Sequence, residues 1–580
     1  MISSMIPNTF FDNFALLTDS PNAVAKLREI VLQLAVRGKL TTQNSTDEPA
    51  SVLVEKSRIE RDNFISNSKI RKNNLMPPIK EDEIPYQLPQ AWEWSRFNDV
   101  VFSQEGPGIR NWQFRDTGVK LLNVKNIVKG KLVLENSDKH ISEEEFSQKY
   151  SHFLIEDGDL LFASSGNSWG KTAFFKNPGY RVIVNTSTIR MRFWLKECNN
   201  NYLRYFLDCN IFTNQMLTQL QGMQPNFGSS HLVKVFLPLP PLAEQERIVE
   251  KCDRLLILCD EIEKRQQQRQ ESLLKMNEGA ISQLLTAQNP NDFQHRWQRI
   301  CNNFDLLYSI PETIPKLRQA ILQLAVQGKL VLQNPNDEPA SVLLKKVQAA
   351  IKELIKAKKI RKIEVNAVDL EGETHTLPSS WLHVRLGSIL HSIKYGTSKK
   401  CDYDVPGIPV LRIPNIDVNA GEITIDDLKF TTLTDAEIRE LSLIENDLLM
   451  IRSNGSKTLI GRTALIDRSV SGYAYAGYLV RVRLFPEYIL AKYLHLALST
   501  SFIREQIEFP IRTTSGVKNI NSTEISNLLL PLPPLAEQKR IVAKVESLLS
   551  LCDALEAKLK AARDSSATLI EVAARQVLAV

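Results

Sequence analysis

Residues 166–172, GNSWGKT, are the stretch whose residue types most directly suggest chemistry, because a glycine-rich turn ending in Gly-Lys-Thr is typical of phosphate-binding loops. Such a loop needs four residues between its glycines, so that successive backbone N–H groups surround the phosphate. Only three residues separate Gly166 from Gly170, and the second half of the chain has Gly-Arg-Thr at 461–463 instead. We interpret the stretch as a polar turn and not as a nucleotide site.

Other patterns with catalytic precedent are equally incomplete. The sequence Asn-Pro-Gly-Tyr at 177–180 is similar to the Asn-Pro-Pro-Tyr loop with which amino-methyltransferases hold a target amine, but no glycine-rich cofactor turn accompanies it. The eight histidines lack the spacing of metal ligands, and we find no nuclease carboxylate cluster and no nucleophile triad. The sequence therefore predicts no catalytic residues, no metal site and no cofactor in this chain.

Polar and basic loop residues recur at matched places in the two halves, and these residue types suit DNA. Arg and Lys bind guanine edges and phosphates, while Asn and Gln bind adenine edges. Any one of them alone is more simply a solvated loop residue, but as a set they are our candidates for base recognition. In the first half they are Arg110, Asn111, Arg115, Asn123, Lys125, Ser165, Asn167, Lys171, Gln224 and Asn226. In the second half they are Lys394, Tyr395, Thr397, Lys399, Arg412, Asn415, Arg452, Ser453, Asn454, Arg462, Arg512, Lys518 and Asn519.

These loops belong to two segments with a similar pattern of apolar and polar residues. Each opens with Leu-Pro-x-x-Trp, at 88–92 and 377–381, and continues with short apolar runs separated by Gly, Asn and Ser turns. Such a pattern predicts a strand-rich α+β domain. The runs at 119–124 and 408–413 share landmarks, yet the residues between landmarks diverge. The two domains should therefore have one fold and two different surfaces.

A proline-rich strip followed by a long helix occurs twice, at 236–263 and 529–556, with 19 of 28 positions identical. Proline fixes φ and donates no hydrogen bond, so the strip LPLPPLAEQ should be extended until a helix begins at its last proline. Apolar residues then recur at steps of four and three, which is typical of a coiled-coil seam. The seam residues are Ile248, Cys252, Leu255, Cys259 and Ile262 in one copy and Ile541, Val545, Leu548, Cys552 and Leu555 in the other. Two such seams predict that the two helices pack against each other and form a rigid spacer; the alternative is two amphipathic helices that pack on their own domains.

A second repeat confirms the duplication within the sequence, since residues 26–53 return as 316–343 with 20 of 28 positions identical. Each copy predicts a helix that ends at Gly38 or Gly328, and a second helix that begins near Asp-Glu-Pro, where an N-cap carboxylate precedes the proline. We divide the chain into six segments, namely an N-terminal helical segment 1–87, a strand-rich domain 88–236, a spacer helix 237–290, a repeated helical segment 291–376, a second strand-rich domain 377–529 and a C-terminal spacer helix 530–580.

The second helix of each repeat runs into positive charge, most densely at 345–362. The simpler interpretation is a solvated helix face, and the alternative is sequence-independent contact with a phosphate backbone.

Length and composition set wider limits. A chain of 580 residues should form several domains, and its net charge of +6 permits a polyanionic partner without requiring one. The seven cysteines form no CxxC pair, which suggests reduced thiols and a cytoplasmic location. We expect neither a signal peptide nor a membrane span.

The duplicated LPLPPLAEQ strip with its seam helix, combined with Gly-Asp-Leu-Leu-type strands inside two divergent domains, resembles the specificity subunit of type I restriction-modification enzymes. The resemblance covers essentially the whole chain. It implies two target recognition domains, related by a pseudo-twofold axis, that each read one half of a split asymmetric site on double-stranded DNA. It also implies that the two spacer helices pair antiparallel and set the gap between the half-sites.

The resemblance further implies two methylation subunits and restriction subunits as partners, which would carry adenine methylation with S-adenosylmethionine and ATP- and Mg-dependent cleavage. This chain would be non-catalytic. Two alternatives remain open from the residues: a self-sufficient restriction-methylation enzyme, and a stand-alone DNA-binding regulator or scaffold.

Overall fold

A computed structural model describes residues 20, 22–67, 77–128, 130–220, 225–368, 377–509, 512–514 and 517–579. Their contacts divide the chain into two units. The first unit consists of residues 1–269 and 562–580, and the second consists of residues 270–561.

The helices of the first unit follow the predicted order. They are α1 (Ala23–Val36), α2 (Ala50–Asn67), α3 (Phe97–Val100), α4 (Glu143–Glu145), α5 (Asn200–Leu207), α6 (Asn210–Leu217), α7 (Ser229–Leu232) and the start of the long helix α8 (Leu242–Leu285). Its strands are β1 (Glu93–Arg96), β2 (Val101–Glu105), β3 (Val119–Leu122), β4 (Ile127–Val128), β5 (Lys131–Leu132), β6 (Lys139–Ile141), β7 (Leu160–Ala163), β8 (Thr172–Phe174), β9 (Val182–Val184), β10 (Thr188–Phe193) and β11 (Phe236–Leu239).

The second unit has a similar order, which follows the helices α9 and α10. Its helices are α9 (Pro290–Asn302), α10 (Phe304–Leu307), α11 (Ile314–Val326), α12 (Ala340–Lys356), α13 (Asp435–Leu441), α14 (Ala491–Leu498), α15 (Ser501–Glu508), α16 (Ser522–Ser526) and most of α17 (Leu535–Ala579). Its strands are β12 (Leu382–Arg385), β13 (Leu390–Tyr395), β14 (Ile408–Leu411), β15 (Ile416–Asp417), β16 (Glu422–Ile423), β17 (Lys429–Thr431), β18 (Leu448–Ile451), β19 (Ser453–Asn454), β20 (Thr463–Leu465), β21 (Ala474–Tyr475), β22 (Leu479–Leu484), β23 (Arg512–Thr514), β24 (Val517–Asn519) and β25 (Leu529–Leu532).

The two strand-rich domains share one sheet topology, so the predicted α+β class and internal duplication are confirmed. The four-stranded sheet β2-β10-β7-β8 of the first unit corresponds to β13-β22-β18-β20 of the second. The three-stranded sheet β6-β3-β9 corresponds to β17-β14-β21, and the pair β1-β11 corresponds to β12-β25. The two-stranded sheets β4-β5 and β15-β16 also correspond, and among the described residues the sheet β19-β24-β23 occurs in the second unit alone.

The central sheet of each domain is buried on both faces, which explains the continuous apolar runs in the sequence. All four residues of β7 and all four residues of β18 are buried. In the first unit, Phe162 and Met191 lie in one core cluster with Tyr202 and Phe206 of α5. Burying a side chain of this size stabilises the fold by roughly 1.5–3 kcal/mol.

A buried aspartate precedes each of these central strands and fixes the turn before it. Asp159 and Asp447 are each 1% exposed. The Asp159 carboxylate accepts a hydrogen bond from the backbone N–H of Glu156 at 2.8 Å and lies 2.8 Å from the guanidinium of Arg190. Asp447 accepts two hydrogen bonds from Arg483, each of 2.7 Å. The aspartate of the Gly-Asp-Leu-Leu-type motif is therefore structural.

A buried glutamate joins the repeated helical segment, the domain and the long helix in each unit; we call this arrangement the joint. Glu244, in the first turn of α8, is fully buried. Its carboxylate accepts hydrogen bonds from Trp92 Nε1 at 2.9 Å, Thr41 Oγ1 at 2.9 Å and Gln43 Nε2 at 2.7 Å. The carboxylate in the first turn of α8 thus binds two other parts of the chain, residues 41–43 and the turn that contains Trp92.

The second unit repeats the joint with the corresponding residues. Glu537 accepts hydrogen bonds from Trp381 Nε1 at 2.9 Å and from Gln333 Nε2 at 2.7 Å. The following residue, Gln538, accepts a hydrogen bond from the backbone N–H of Leu490 at 2.9 Å and donates to Pro533 O at 3.1 Å. The Glu-Gln pair of LPLPPLAEQ therefore connects the proline strip to the recognition fold on one side and to the repeat on the other.

The predicted helix ends at Gly38 and Gly328 are confirmed, with φ of +69° and +67°. A Cβ atom at either glycine would lie 2.4 Å from the Cγ atom of Pro89 or Pro378. Glycine is thus needed for the backbone conformation and also for the close approach of the Leu-Pro-x-x-Trp turn.

The predicted N-cap carboxylate is wrong for α12, whose N-cap is Pro339 without a side-chain hydrogen bond. Asp337 instead pairs with Arg540 of α17 at 2.7 Å, just as Asp47 pairs with Arg247 of α8 at 2.5 Å. A cationic partner some 200 residues away is a stronger attraction than the exposed backbone N–H groups at the helix start.

The first part of each apolar stripe is buried by its own unit. Ile248 and Cys252 lie in the core cluster that contains Trp92 and Tyr202. Beside them, Arg28 of α1 donates to the carboxylates of Asp260 and Glu263, each at 2.6 Å. Arg318 makes the corresponding pairs with Asp553 and Glu556 in the second unit, where Ile541, Val545 and Cys552 are buried. At these positions the stripe packs as in the alternative interpretation, and mutual burial of the two stripes stays a prediction.

Replacing Glu244 with alanine should destabilise the first unit by about 2 kcal/mol, because the buried indole N–H of Trp92 would lose its acceptor and the bonds from Thr41 and Gln43 would also be lost. Glu246 is an exposed residue of the same helical turn. Glu246→Ala should change stability by less than about 0.5 kcal/mol. Urea unfolding followed by tryptophan fluorescence measures both variants, and equal midpoints would contradict the structural role of the joint.

The second unit should lose stability in mild acid through His495. Burial lowers the pKa of His495 to about 4, and the nearby charge of Arg462 acts in the same direction. Since the unfolded chain binds the proton more readily than the folded one, stability falls as the pH drops from about 6.5 toward 4, by about 3 kcal/mol in total. The position is occupied by Arg204 in the first unit, so hydrogen exchange at pH 7 and pH 5 should show the loss in the second unit. A His495→Gln variant should show a smaller pH dependence than the native chain.

Candidate nucleic-acid interface

Two loops that are distant in sequence meet at the same place in both strand-rich domains; we call them the loop pair. In the first unit the pair consists of residues 164–166 and 225–227. Ser165 forms a β-bridge with Asn226, and the backbone N–H of Phe227 donates to Ser164 O at 2.9 Å. One loop continues the central strand β7, and the other leads into the proline strip, so the protein core fixes both ends of the loop pair.

The second unit has the corresponding loop pair at 452–454 and 518–520. Ser453 pairs with Asn519 in the small sheet β19-β24-β23, and Ile520 N donates to Arg452 O at 2.9 Å. Asn226 and Asn519 are 293 residues apart, as are the first residues of the two proline strips. The sequence-predicted polar residues at these two places are therefore brought together by the fold, in the same geometry in both domains.

The chemistry of the two loop pairs differs although their backbones correspond. In the first loop pair Asn226 is exposed, Ser165 is half-buried and Ser164 is buried, and all three side chains are uncharged. In the second unit, the guanidinium of Arg452 lies 4.5 Å from the ring centroid of Tyr395. A guanidinium over an aromatic face is attracted by the ring quadrupole, which holds the arginine in one orientation. The second loop pair thus presents an ordered cation, as a contact to guanine or to phosphate requires.

Tyr395 is also fixed from the other side, because its hydroxyl accepts a hydrogen bond from the backbone N–H of Ser522 at 2.7 Å. Arg452 donates through Nη1 to Gly477 O at 3.2 Å. The next residue, Tyr478, is 64% exposed and lies beside this cluster, since its carbonyl accepts the N–H of Arg452 at 2.9 Å. Sequence reasoning missed Tyr478, because an aromatic residue directly before an apolar strand has the pattern of a core residue.

A glycine permits close packing of the strand ends behind each loop pair. A Cβ atom at Gly106 would lie 2.4 Å from the carbonyl oxygen of Asn185, and one at Gly396 would lie 2.2 Å from that of Tyr475. Both distances are too short for any side chain. The loops after β2 and β13, which carry further candidate residues, therefore start from equivalent fixed points.

The other candidate residues are distributed around these loops with different exposure. The exposed candidates are Arg110, Asn111, Arg115, Lys125, Asn167, Lys171, Asn226, Tyr395 and Lys399. The half-buried candidates are Asn123, Ser165, Lys394, Thr397, Arg412, Arg452, Ser453, Asn454, Arg462, Lys518 and Asn519. Gln224 and the side chain of Arg512 lie outside the described part of the chain. Trp112, between Arg110 and Arg115, is 74% exposed.

The interpretation of Asn415 as a base-reading residue is wrong. Its side chain is 1% exposed, donates to Thr424 O and Asp427 O at 3.1 and 2.9 Å, and accepts from Arg412 N at 2.9 Å. The amide therefore has no free donor for a base and instead closes a loop. Asn126 does the same in the first unit, where it is fully buried and donates to Val133 O at 2.9 Å.

Several candidate cations already have protein partners. Arg412 pairs with Asp427 at 2.7 Å, Lys399 pairs with Glu437 at 2.8 Å, and Lys394 pairs with Glu440. The hydrogen bond from Lys399 is the largest of several effects that lower the pKa of Glu437 to about 2. Asn123 is similarly engaged, since it donates to Ser137 Oγ at 2.9 Å and caps a turn by accepting from Lys125 N. These residues can contact DNA only in competition with an existing interaction.

The described residues contain no group of three or more His, Cys, Asp and Glu side chains arranged to hold a metal ion. Within the same residues, no helix is long and apolar enough to cross a membrane. The turn at 166–172 places Lys171 on the surface, with Nζ 3.4 Å from Ser168 Oγ.

Asn415→Ala should destabilise the second domain by about 2 kcal/mol, because the loop would lose the two hydrogen bonds donated by the buried amide and the one that it accepts. Asn126→Ala should have the corresponding effect on the first domain. Asn167→Ala removes an exposed amide and should leave stability unchanged within about 0.5 kcal/mol. Thermal unfolding of the three variants separates the roles. An unchanged midpoint for Asn415→Ala would restore this residue as a candidate for base contact.

Comparison with known proteins identifies the architecture. A sequence model described as the type I restriction modification DNA specificity domain matches residues 89–271 and 378–562. The chain is 29% identical over 577 residues to the type I restriction enzyme EcoEI specificity subunit of Escherichia coli, covering 94% of this chain and 93% of that protein. It is 28% identical over 559 residues to the EcoAI specificity subunit of the same species, covering 94% and 92%. The crystal structure of the HsdS subunit from Thermoanaerobacter tengcongensis, 18% identical, covers 85% of this chain and 98% of that one with a TM-score of 0.41. Since the two matched ranges cover more than half of the chain, and each contains one strand-rich domain and the first part of the long helix after it, this protein belongs to the family of type I restriction-modification DNA specificity subunits.

Proposed function

We propose that the two domains read the two halves of a split, asymmetric DNA site, each with its own loop pair. This proposal rests on one observation: the two loop pairs have equivalent backbones but different side chains. The Ser165–Asn226 bridge corresponds to the Ser453–Asn519 pair, while the neighbouring residues are Ser164 in one domain and Arg452 in the other. Equivalent loops carrying different donors and acceptors suit different base sequences.

In this proposal the chain supplies recognition, and its partners supply chemistry. Two methylation subunits would bind along the duplicated helical parts and transfer a methyl group from S-adenosylmethionine to an adenine that leaves the DNA stack. Restriction subunits would add ATP- and Mg-dependent cleavage. Support comes from family membership and from a second helical repeat that offers similar surfaces twice. The expected location is the cytoplasm, where the DNA and these cofactors are present.

The long helices are proposed to set the gap between the half-sites. At ~1.5 Å per residue, the 44 residues of α8 extend for about 66 Å. Insertion of one heptad into α8 should therefore alter the spacing of the recognised half-sites without altering either half. Recognition of the original spacing by this variant would exclude the proposal for the helices.

Methylation mapping tests the function directly. The chain is co-expressed with a methylation subunit from its own genome in a host that lacks adenine methylation, and modified adenines are located by sequencing. We expect a split motif with a fixed gap that is methylated once on each strand. A stable complex that methylates nothing would contradict directed methylation, and tight specific DNA binding by the chain alone would favour a stand-alone regulator.

Asn226→Ala and Asn519→Ala should each relax the recognised motif in one half only. Removal of a side-chain hydrogen bond to a base edge costs about 1–3 kcal/mol of discrimination, whereas the backbone pairing of each loop is retained. The two variants are matched controls, because they alter the same structural position in different domains. The motifs methylated by each variant provide the measurement. A change in both halves from one substitution would contradict independent reading.

A further inference from the structure

Residues 345–362, which we call the basic tract, hold an unusual share of the positive charge of the chain. They contain eight Lys or Arg residues and one Glu, a net charge of +7. The whole chain has 72 basic and 66 acidic residues, a net charge of +6. The remaining residues, 64 basic and 65 acidic, have a net charge of −1. The net positive charge of the whole chain therefore comes from this one stretch.

The first part of the basic tract is the solvent-facing side of α12. Leu343 and Val347 are buried in the core of the second unit. Lys345, Lys352 and Lys356 are exposed, and their spacing of seven and four residues places them together on the opposite face. The hydrophobic contacts of α12 thus fix a row of lysines in position.

The second part begins where α12 ends and is attached to the recognition domain. Lys358 adopts a left-handed conformation with φ of +58°, and its N–H donates to Ile355 O at 2.9 Å. After this turn, Asn366 N donates to the side chain of Asn527 at 2.7 Å, and Arg385 donates to Ala367 O at 3.2 Å. The chain on both sides of Lys359 and Arg361 is therefore held against the domain.

Protein carboxylates leave most of this charge uncompensated. Lys346 pairs with Glu338 at 2.6 Å and Lys362 pairs with Glu364 at 3.0 Å. Among the described residues, no carboxylate lies within ion-pair distance of the remaining members, which are Lys345, Lys352, Lys356, Lys358, Lys359 and Arg361. Interaction with the helix dipole accounts only for cations in the last turn of α12. Six unpaired cations on a fixed surface repel one another and favour a polyanion.

The basic tract borders the candidate interface of the second domain. Glu440 lies between them: it binds Lys394, which is next to Tyr395, and it also feels the charge of Arg361. The hydrogen bond from Lys394, with smaller contributions that include Arg361, holds the pKa of Glu440 below its usual range. A phosphate backbone that leaves the second loop pair in this direction would meet the basic tract.

The corresponding segment of the first unit lacks this property. Residues 55–72 contain six basic and three acidic residues, a net charge of +3. Arg58 and Arg61 of α2 both bind Asp99, at 2.8 and 2.5 Å, and so attach the helix to its own domain. The two copies of this helix therefore differ in net charge, and the second copy has the denser row of cations.

We propose that the basic tract binds the phosphate backbone of DNA that flanks the half-site read by the second domain. This inference rests on the proposed function, since it adds a sequence-independent contact to a sequence-reading domain. The partner is double-stranded DNA, which carries one charge per ~1.7 Å of its axis and gains entropy from released counterions when lysines replace them.

The test is a triple substitution, Lys352→Gln, Lys356→Gln and Lys359→Gln, in the complex of the full chain with methylation subunits. The slope of log affinity against log salt should become shallower by about 0.9 for each phosphate that is no longer neutralised, or about 2.7 in total. Between about 50 and 200 mM salt, the native complex should then lose about 40-fold more affinity than the variant. The methylated motif should stay the same, because phosphate contacts carry no base information.

The matched control replaces the same three lysines with arginine, which keeps the charge and should keep the native slope. An unchanged slope in the glutamine variant would overturn the inference. The inference would also be overturned if the glutamine variant assembled poorly with the methylation subunits and the complex that still forms kept the native slope. That result would assign the tract to an acidic protein surface. If the native complex shows no sequence preference, the proposed function fails separately. The salt slopes on non-specific DNA still test the tract in that case.

Discussion

The structure depends on one type of interaction, a buried carboxylate that accepts hydrogen bonds from several distant parts of the chain. An ionised glutamate without partners would be costly in a protein interior, so it is stable there only while all its donors are in place. Glu244 and Glu537 satisfy this condition through the indole of the Leu-Pro-x-x-Trp turn and the amide of the repeated helical segment. Each joint consequently forms as a whole, and it sets the position of a domain relative to the long helix that begins beside it.

This requirement explains which parts of the sequence are duplicated closely and which are free to differ. The residues of the joint must match one another in shape and hydrogen bonding, and most of them lie in the two stretches that repeat with 19 and 20 identical positions of 28. The loop pairs contribute to the fold mainly through backbone pairing, so their side chains can vary at little cost. Among the described residues, the sheet β19-β24-β23 and the Arg452–Tyr395 contact distinguish the second domain from the first.

The sequence predicted the local structure well, because local structure depends on neighbouring residues. The strands, the glycines at the ends of α1 and α11 and the onset of α8 and α17 follow from apolar pattern, φ preference and proline. The misses involve long-range partners. The sequence predicted an N-cap carboxylate at Asp337-Glu338-Pro339, whereas Asp337 binds Arg540, which is 203 residues away. No pattern in the sequence indicates this pair. The candidate site was also predicted only in part. Its location follows from polar residues that recur at equivalent points in two related domains. Its chemistry could not be predicted: Asn226 and Asn415 were chosen by one criterion, yet the first is exposed beside the loop pair and the second has its amide hydrogens engaged within the protein.

The concentration of charge in residues 345–362 also gives the chain a preferred orientation during diffusion. A molecule whose charge is spread evenly approaches a polyanion from any side, whereas a localised excess turns the molecule before contact and increases the association rate. The second domain would then reach DNA before the first, because the remaining 64 basic and 65 acidic residues carry almost no net charge. Reading of the two half-sites thus acquires an order in time, which neither the pseudo-symmetry of the fold nor the similarity of the two sheets would suggest.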